Sequence, residues 1–202
     1  MTSLVVAEFL GIISFALSGF YIATKKQLDL LGICISALLT ALGGGIVRDM
    51  IVGIYPTSLS SIFPMALVLV VVGLLVAFKF HKKSTFEKKP FFVVIDAIGL
   101  VSFSIAGALL AVEHNFAISG VIILAFITAI GGGVFRDILL NVVPYVLIGG
   151  FYGAISIIIG IVIYILSFYG LLGIISLSIL FVFSMFLRIL AFRHSWKLPT
   201  LK

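Results

Sequence analysis

Charge is scarce in this chain. Only 10% of its 202 residues are Asp, Glu, Lys or Arg, against about 25% in an ordinary soluble domain. That is too little polar surface to coat a water-soluble body, so the exterior faces lipid and the expected class is an integral membrane protein. Cysteine is almost absent. Cys34 alone excludes an intrachain disulfide and reads as a small packing residue. The three histidines, His81, His114 and His194, lie in or beside polar connections, and neither an HExxH motif nor a Cys/His cluster occurs, so no metal site is expected. No nucleophile and base share one depth, so no catalytic residue is assigned and an enzyme is not expected. The N-terminal stretch MTSLVVAEFLGIISFALSGF lacks a basic leader and carries Glu8 inside its apolar run. It reads as the first membrane helix rather than a cleaved signal.

What the chain has in abundance is long apolar runs. Mean hydropathy is +1.41 and 63% of the residues are hydrophobic. A helix needs about 20 mostly apolar residues to cross about 30 Å of hydrocarbon. Seven spans are expected, at 4–24, 28–55, 62–80, 91–112, 117–143, 146–168 and 170–192. Pro64 and Pro90 fall at or just before first turns, where a missing N–H matters little, and Pro56 and Pro144 fall just past helix ends. Basic residues set the orientation. Lys25, Lys26, Lys79, Lys82, Lys83, Lys88, Lys89, Arg193, Lys197 and Lys202, with Arg188 in the adjoining last turn, all fall on one side. That side is expected to be cytoplasmic and to hold the C-terminus, with the N-terminus outside. Attraction to lipid headgroups favours the same orientation.

The chain is also duplicated. TALGGGIVRDMIVGIYP at 40–56 returns as TAIGGGVFRDILLNVVP at 128–144, an offset of 88 residues that holds without a gap from residue 8 to residue 56. Gly11 matches Gly99, Phe15 matches Phe103, Gly19 matches Gly107, and Glu8 matches Asp96 in charge. Three spans per copy is an odd number, so the second copy enters from the opposite side of the membrane. The fold class is therefore an all-α membrane protein of seven transmembrane helices. Two inverted three-helix repeats, about 4–80 and 91–168, are followed by a seventh helix at about 170–192, all in one integral domain over 1–202.

Glycines and charges in the middle of spans 2 and 5 are the candidate functional residues. Each glycine weakens a helix interior by about 1 kcal/mol relative to alanine. Gly43, Gly44 and Gly45, like Gly131, Gly132 and Gly133, therefore suggest either close helix packing or a kink or short unwound turn. A kink or short unwound turn is the favoured expectation, because three in a row exceed what packing requires. Gly19 with Ala23, and Gly107 with Ala111, fit close packing. Thr40 and Thr128 either offer hydroxyl oxygens to a path or bond their own backbone. An arginine at the bilayer centre costs roughly 3 kcal/mol on insertion scales, so Arg48 and Arg136 need partners or water. Depth along the helices groups Glu8 with Arg48 and Asp49, and Asp96 with Arg136 and Asp137. Each group sums to −1 if fully ionised. The groups read either as the two mouths of a polar, cation-favouring path or as neutralising struts between helices.

The duplicated GGGxxRD, here GGGIVRD and GGGVFRD, on the middle helices of two three-span repeats plus a seventh helix, resembles the prokaryotic branch of the trimeric intracellular cation (TRIC) channel family. The resemblance covers about residues 4–192. It implies a homotrimer with one pore per subunit, lined by kinked second and fifth helices, in the plasma membrane of a bacterium or archaeon. The pore residues carried over are Gly43–Gly45, Arg48, Asp49, Gly131–Gly133, Arg136 and Asp137. The implied permeant ion is potassium, with sodium also passing, and no bound cofactor is implied. Lipids are the other partner; no nucleic acid or further protein is inferred. The same motif is similar to a bacterial membrane domain labelled a glycine transporter. That likeness implies a secondary transporter of glycine or a similar small amino acid, using the same inverted-repeat site.

Overall fold

A computed structural model describes residues 2–80, 89–148 and 151–196. These residues fold into nine helices: α1 (Thr2–Lys25), α2 (Leu30–Val52), α3 (Thr57–Ser60), α4 (Ile62–Ala77), α5 (Lys89–Glu113), α6 (Ile118–Leu139), α7 (Tyr145–Ile148), α8 (Tyr152–Phe168) and α9 (Ile174–Arg193). The protein is an all-helical membrane protein. Five helices, α1, α2, α5, α6 and α9, are long and apolar enough to cross a bilayer, while α4 and α8 are apolar but shorter. Side chains such as Ile179, Val182 and Phe186 of α9 stand exposed, as a lipid-facing surface requires. His81, Lys82, Lys83, Lys88, Lys197 and Lys202 lie outside the described residues.

The ends of the second and fifth spans differ from the sequence expectation. The runs 28–55 and 117–143 shorten to Leu30–Val52 and Ile118–Leu139. Asp29 starts α2 by accepting a 2.7 Å hydrogen bond from Gly32 N. Gly53, at φ 80°, stops it in the left-handed conformation that glycine adopts without a Cβ clash. Asn141, the matching residue of the second copy, takes the same conformation at φ 51°. The next residues bond back identically, Ile54 N to Asp49 O and Val142 N to Asp137 O. Each copy then turns through its proline into a four-residue helix, α3 or α7.

The two halves meet in reciprocal pairs. A Cβ on Gly99 would overlap the Phe15 ring, and one on Gly11 would lie 3.0 Å from the Phe103 ring. The two rings themselves pack with centroids 5.2 Å apart. Since Gly11 sits by Phe103 and Phe15 by Gly99, α1 and α5 run antiparallel. Helices α2 and α6 cross the same way. A Cβ on Gly132 would strike the Thr40 carbonyl oxygen, and a Cβ on Gly44 would strike the Thr128 carbonyl oxygen. Within each half, Gly19 and Gly107 let neighbouring helices close up. Their added Cβ atoms would lie 2.7 Å from Ser36 O and 2.5 Å from Leu124 O, and Ala23 and Ala111 are fully buried.

This corrects the expectation of an unwound turn. Both glycine runs stay inside continuous α-helix. Propensity alone favours a break at three glycines, but here the facing helix backbone occupies the space that side chains would need. The glycines let two backbones touch, as small residues do between membrane helices. Only part of each triplet is needed for this, because a Cβ on Gly45 meets nothing within 4 Å. Gly44→Ala and Gly132→Ala should therefore each destabilise the protein by about 1–3 kcal/mol or prevent folding, as overpacking does. Gly45→Ala should melt at or above the wild-type temperature in detergent. Equal losses from all three would contradict the packing account.

Candidate functional site

Burial dictates how the charges must be arranged. Arg48, Asp49, Asp96, Arg136 and Asp137 are all less than 5% exposed. A lone ion at such a place is strongly unfavourable, so each has to be paired and hydrogen-bonded. Helix α1 carries Glu8 near its start, and α2 brings Arg48 and Asp49 alongside in its last two turns. Arg48 Nη1 lies 2.6 Å from Glu8 Oε1, and Nη2 lies 2.6 Å from Asp49 Oδ1. The other Asp49 oxygen accepts from Thr57 N at 2.8 Å and Thr57 Oγ1 at 3.1 Å. One carboxylate thus neutralises the arginine and fixes the start of α3. Glu8, Arg48, Asp49, Thr57 and Gly45 line a cavity of about 40 Å³ beside the helix crossing.

The second group repeats this plan with one change. Arg136 Nε donates to Asp137 Oδ1 at 2.8 Å, and Asp137 Oδ2 accepts from Tyr145 N at 2.9 Å. Tyr145 is the repeat partner of Thr57. Asp96 reaches Arg136 through Ser18: Arg136 Nη1 donates to Ser18 Oγ at 2.9 Å, and Ser18 Oγ donates to Asp96 Oδ1 at 3.1 Å. The offset of 88 explains the change. Glu8 pairs with the shorter Asp96, and Ser18 pairs with Ala106. Where the acid is long, the facing position is an alanine and contact is direct. Where the acid loses a methylene, a serine hydroxyl bridges the gap.

The sequence therefore grouped both sets of charges correctly but missed Ser18, Thr57 and a further arginine. Thr40 and Thr128 take the backbone role, donating to Ser36 O and Leu124 O at 2.6 Å. Arg188 of α9, assigned to the basic side from sequence, is instead 2% exposed. Its Nη2 donates to Tyr145 Oη at 3.2 Å, and its guanidinium lies 4.9 Å from the Tyr152 ring centre. Tyr152 in turn neighbours Asp96. With Arg188 included, Asp96, Arg136, Asp137 and Arg188 sum to zero, while Glu8, Arg48 and Asp49 keep −1. The signal was readable, since four apolar residues separate Arg188 from Arg193.

Comparison with known proteins places this geometry. The family model described as "Glycine transporter" matches residues 5–82 and 93–168, the two copies of the duplication. The chain is 34% identical over 193 residues to the "UPF0126 membrane protein YvgT" of Bacillus subtilis, covering 94% of this chain and 92% of that one. It belongs to this family. Its fold matches that of prokaryotic TRIC channels. A chain solved in work on "conductance through TRIC cation channels" superposes with a TM-score of 0.85 at 36% identity, covering 98% of this chain and 96% of that one. Another, described as "a prokaryotic TRIC channel in 0.5 M KCl", gives 0.86 at 32% identity, with 96% and 98% covered. These structural neighbours are described as channels rather than enzymes.

The exchange of acid length for a serine yields a test within this family member. Ser18→Ala leaves an Asp96 oxygen and an Arg136 nitrogen without their bridge, which should destabilise by about 1–3 kcal/mol. Adding Asp96→Glu should recover most of that loss, because the second group then copies the first. Thermal melting of the four variants measures the coupling; additive losses would contradict the bridging role.

Proposed function

We propose that the protein is a cation channel permeable to potassium, with one path through each subunit. The path runs beside the crossing of α2 and α6, past the third glycines Gly45 and Gly133, between the Glu8–Arg48–Asp49 group and the Asp96–Arg136–Asp137 group. The observation that carries this reading is the cavity against Gly45. Glu8, Arg48 and Asp49 share its wall with apolar residues such as Ile12, Leu42 and Phe103. Polar space at membrane depth is the mark of a conduction route, and an acid-rich wall favours cations. The fold likeness to chains described as TRIC cation channels supports the same reading.

In the full proposal α4 and α8 also cross the bilayer, residues 1–202 form one integral domain, and three subunits assemble. The N-terminus lies outside a bacterial plasma membrane and the C-terminus in the cytoplasm. The glycine-transport reading draws support from the label of the matching family model. Its binding site relies on half-helix ends that hold a substrate carboxylate. Continuous α2 and α6 offer no such ends, so the channel reading is preferred.

Purified protein in planar bilayers, run beside liposome uptake of labelled glycine, separates the two. The channel reading expects unitary potassium currents and no concentrative uptake. Arg48→Ala and Arg136→Ala should reduce conductance or open probability in preparations that still assemble. Saturable, gradient-coupled glycine uptake without unitary currents would overturn the channel reading.

A further inference from the structure

The seventh helix has no counterpart in the duplication, so whatever it contributes falls on one half alone. It contributes Arg188. The guanidinium is stacked on Tyr152, which neighbours Asp96, and bonded to Tyr145. Its Nε is buried with no hydrogen-bond partner. A residue that served only to clasp α9 would do so at lower cost as a methionine or leucine, since a buried cation must offset its own desolvation. Beside Glu8, Arg48 and Asp49 no second arginine or lysine enters among the residues that line the cavity. The two ionic groups, with Arg188 counted in the second, thus differ by one formal charge, despite their matched architecture.

We propose that this difference makes conduction rectifying, with Arg188 as the determinant. The inference rests on the channel reading above. A net negative wall concentrates cations at the Glu8 end, and a neutral wall does so less at the Asp96 end. Potassium therefore enters more readily from the Glu8 end. Both groups are buried, so water and salt screen them less than surface charges. The current ratio at equal and opposite voltages should be about two- to fivefold at low ionic strength. It should fall as symmetric potassium chloride is raised, because the screening length shortens.

Single-channel recording of the purified protein in symmetric potassium chloride tests this. The wild type should rectify. Arg188→Met should lower the ratio, and Arg188→Lys should keep it close to that of the wild type. Asp96→Asn makes the same end more positive by a different route and should steepen the ratio, which keeps the test decisive if the methionine variant does not assemble. An ohmic wild type, a methionine variant that rectifies like wild type, or an asparagine variant with an unchanged ratio would overturn the inference while leaving the channel reading intact. A wild type with no unitary current would overturn the channel reading, and this inference with it.

Discussion

Two helices in this protein lie backbone against backbone. The carbonyls of Thr40 and Thr128 face Gly132 and Gly44 so closely that no Cβ fits between them. This contact fixes how near the two halves approach and therefore where every other group sits. It requires that nothing polar be stranded at the interface, and the two threonine hydroxyls turn back onto their own helices accordingly. Lipid offers no hydrogen bonds, so a membrane protein has to satisfy such groups internally. Arg48 and Arg136 follow their glycine runs by about one helical turn. The crossing thereby sets the two ionic groups apart, one on each side.

The ionic groups hold the bundle together and define its polar interior at once. Asp49 and Asp137 each use one oxygen for the arginine and the other for the backbone that begins the next short helix. Strut and proposed path wall are compatible roles, because the same side chains can fill both. Neutral replacements of Asp49 or Asp137 would disturb assembly and any conduction together. Arg188 differs: it stands beside the second group rather than within the repeated core, so its charge is separable from the architecture.

The duplication made much of this legible in the sequence. The 88-residue offset located both glycine runs, both Arg-Asp pairs and their acidic partners, because each appears twice in a setting that tolerates few polar residues. What the sequence did not convey was the meaning of the glycines. Intrinsic propensity favours unwinding, yet the decisive factor is the backbone of the other helix, which only the fold brings near. Ser18 escaped notice because its repeat partner is Ala106, so the register that revealed the other groups hid this one. Arg188 escaped for a related reason: α9 has no second copy, and a basic residue in the last turn of a helix was counted only toward orientation. Asp29 and Gly53 set the ends of α2 by local chemistry that was present in the sequence but outweighed there by the longer apolar run.

The central claim is that water reaches the glycine crossing beside the arginines. Gly45 is the place to look, since its missing side chain faces open space within the cavity that Glu8, Arg48 and Asp49 share. In a Cys34→Ser background, Gly45→Cys should react with a small cationic water-soluble thiol reagent, and the reaction should block potassium current. A cysteine there that ignores this reagent but is modified by a lipid-soluble one would place the crossing against hydrocarbon and contradict the account.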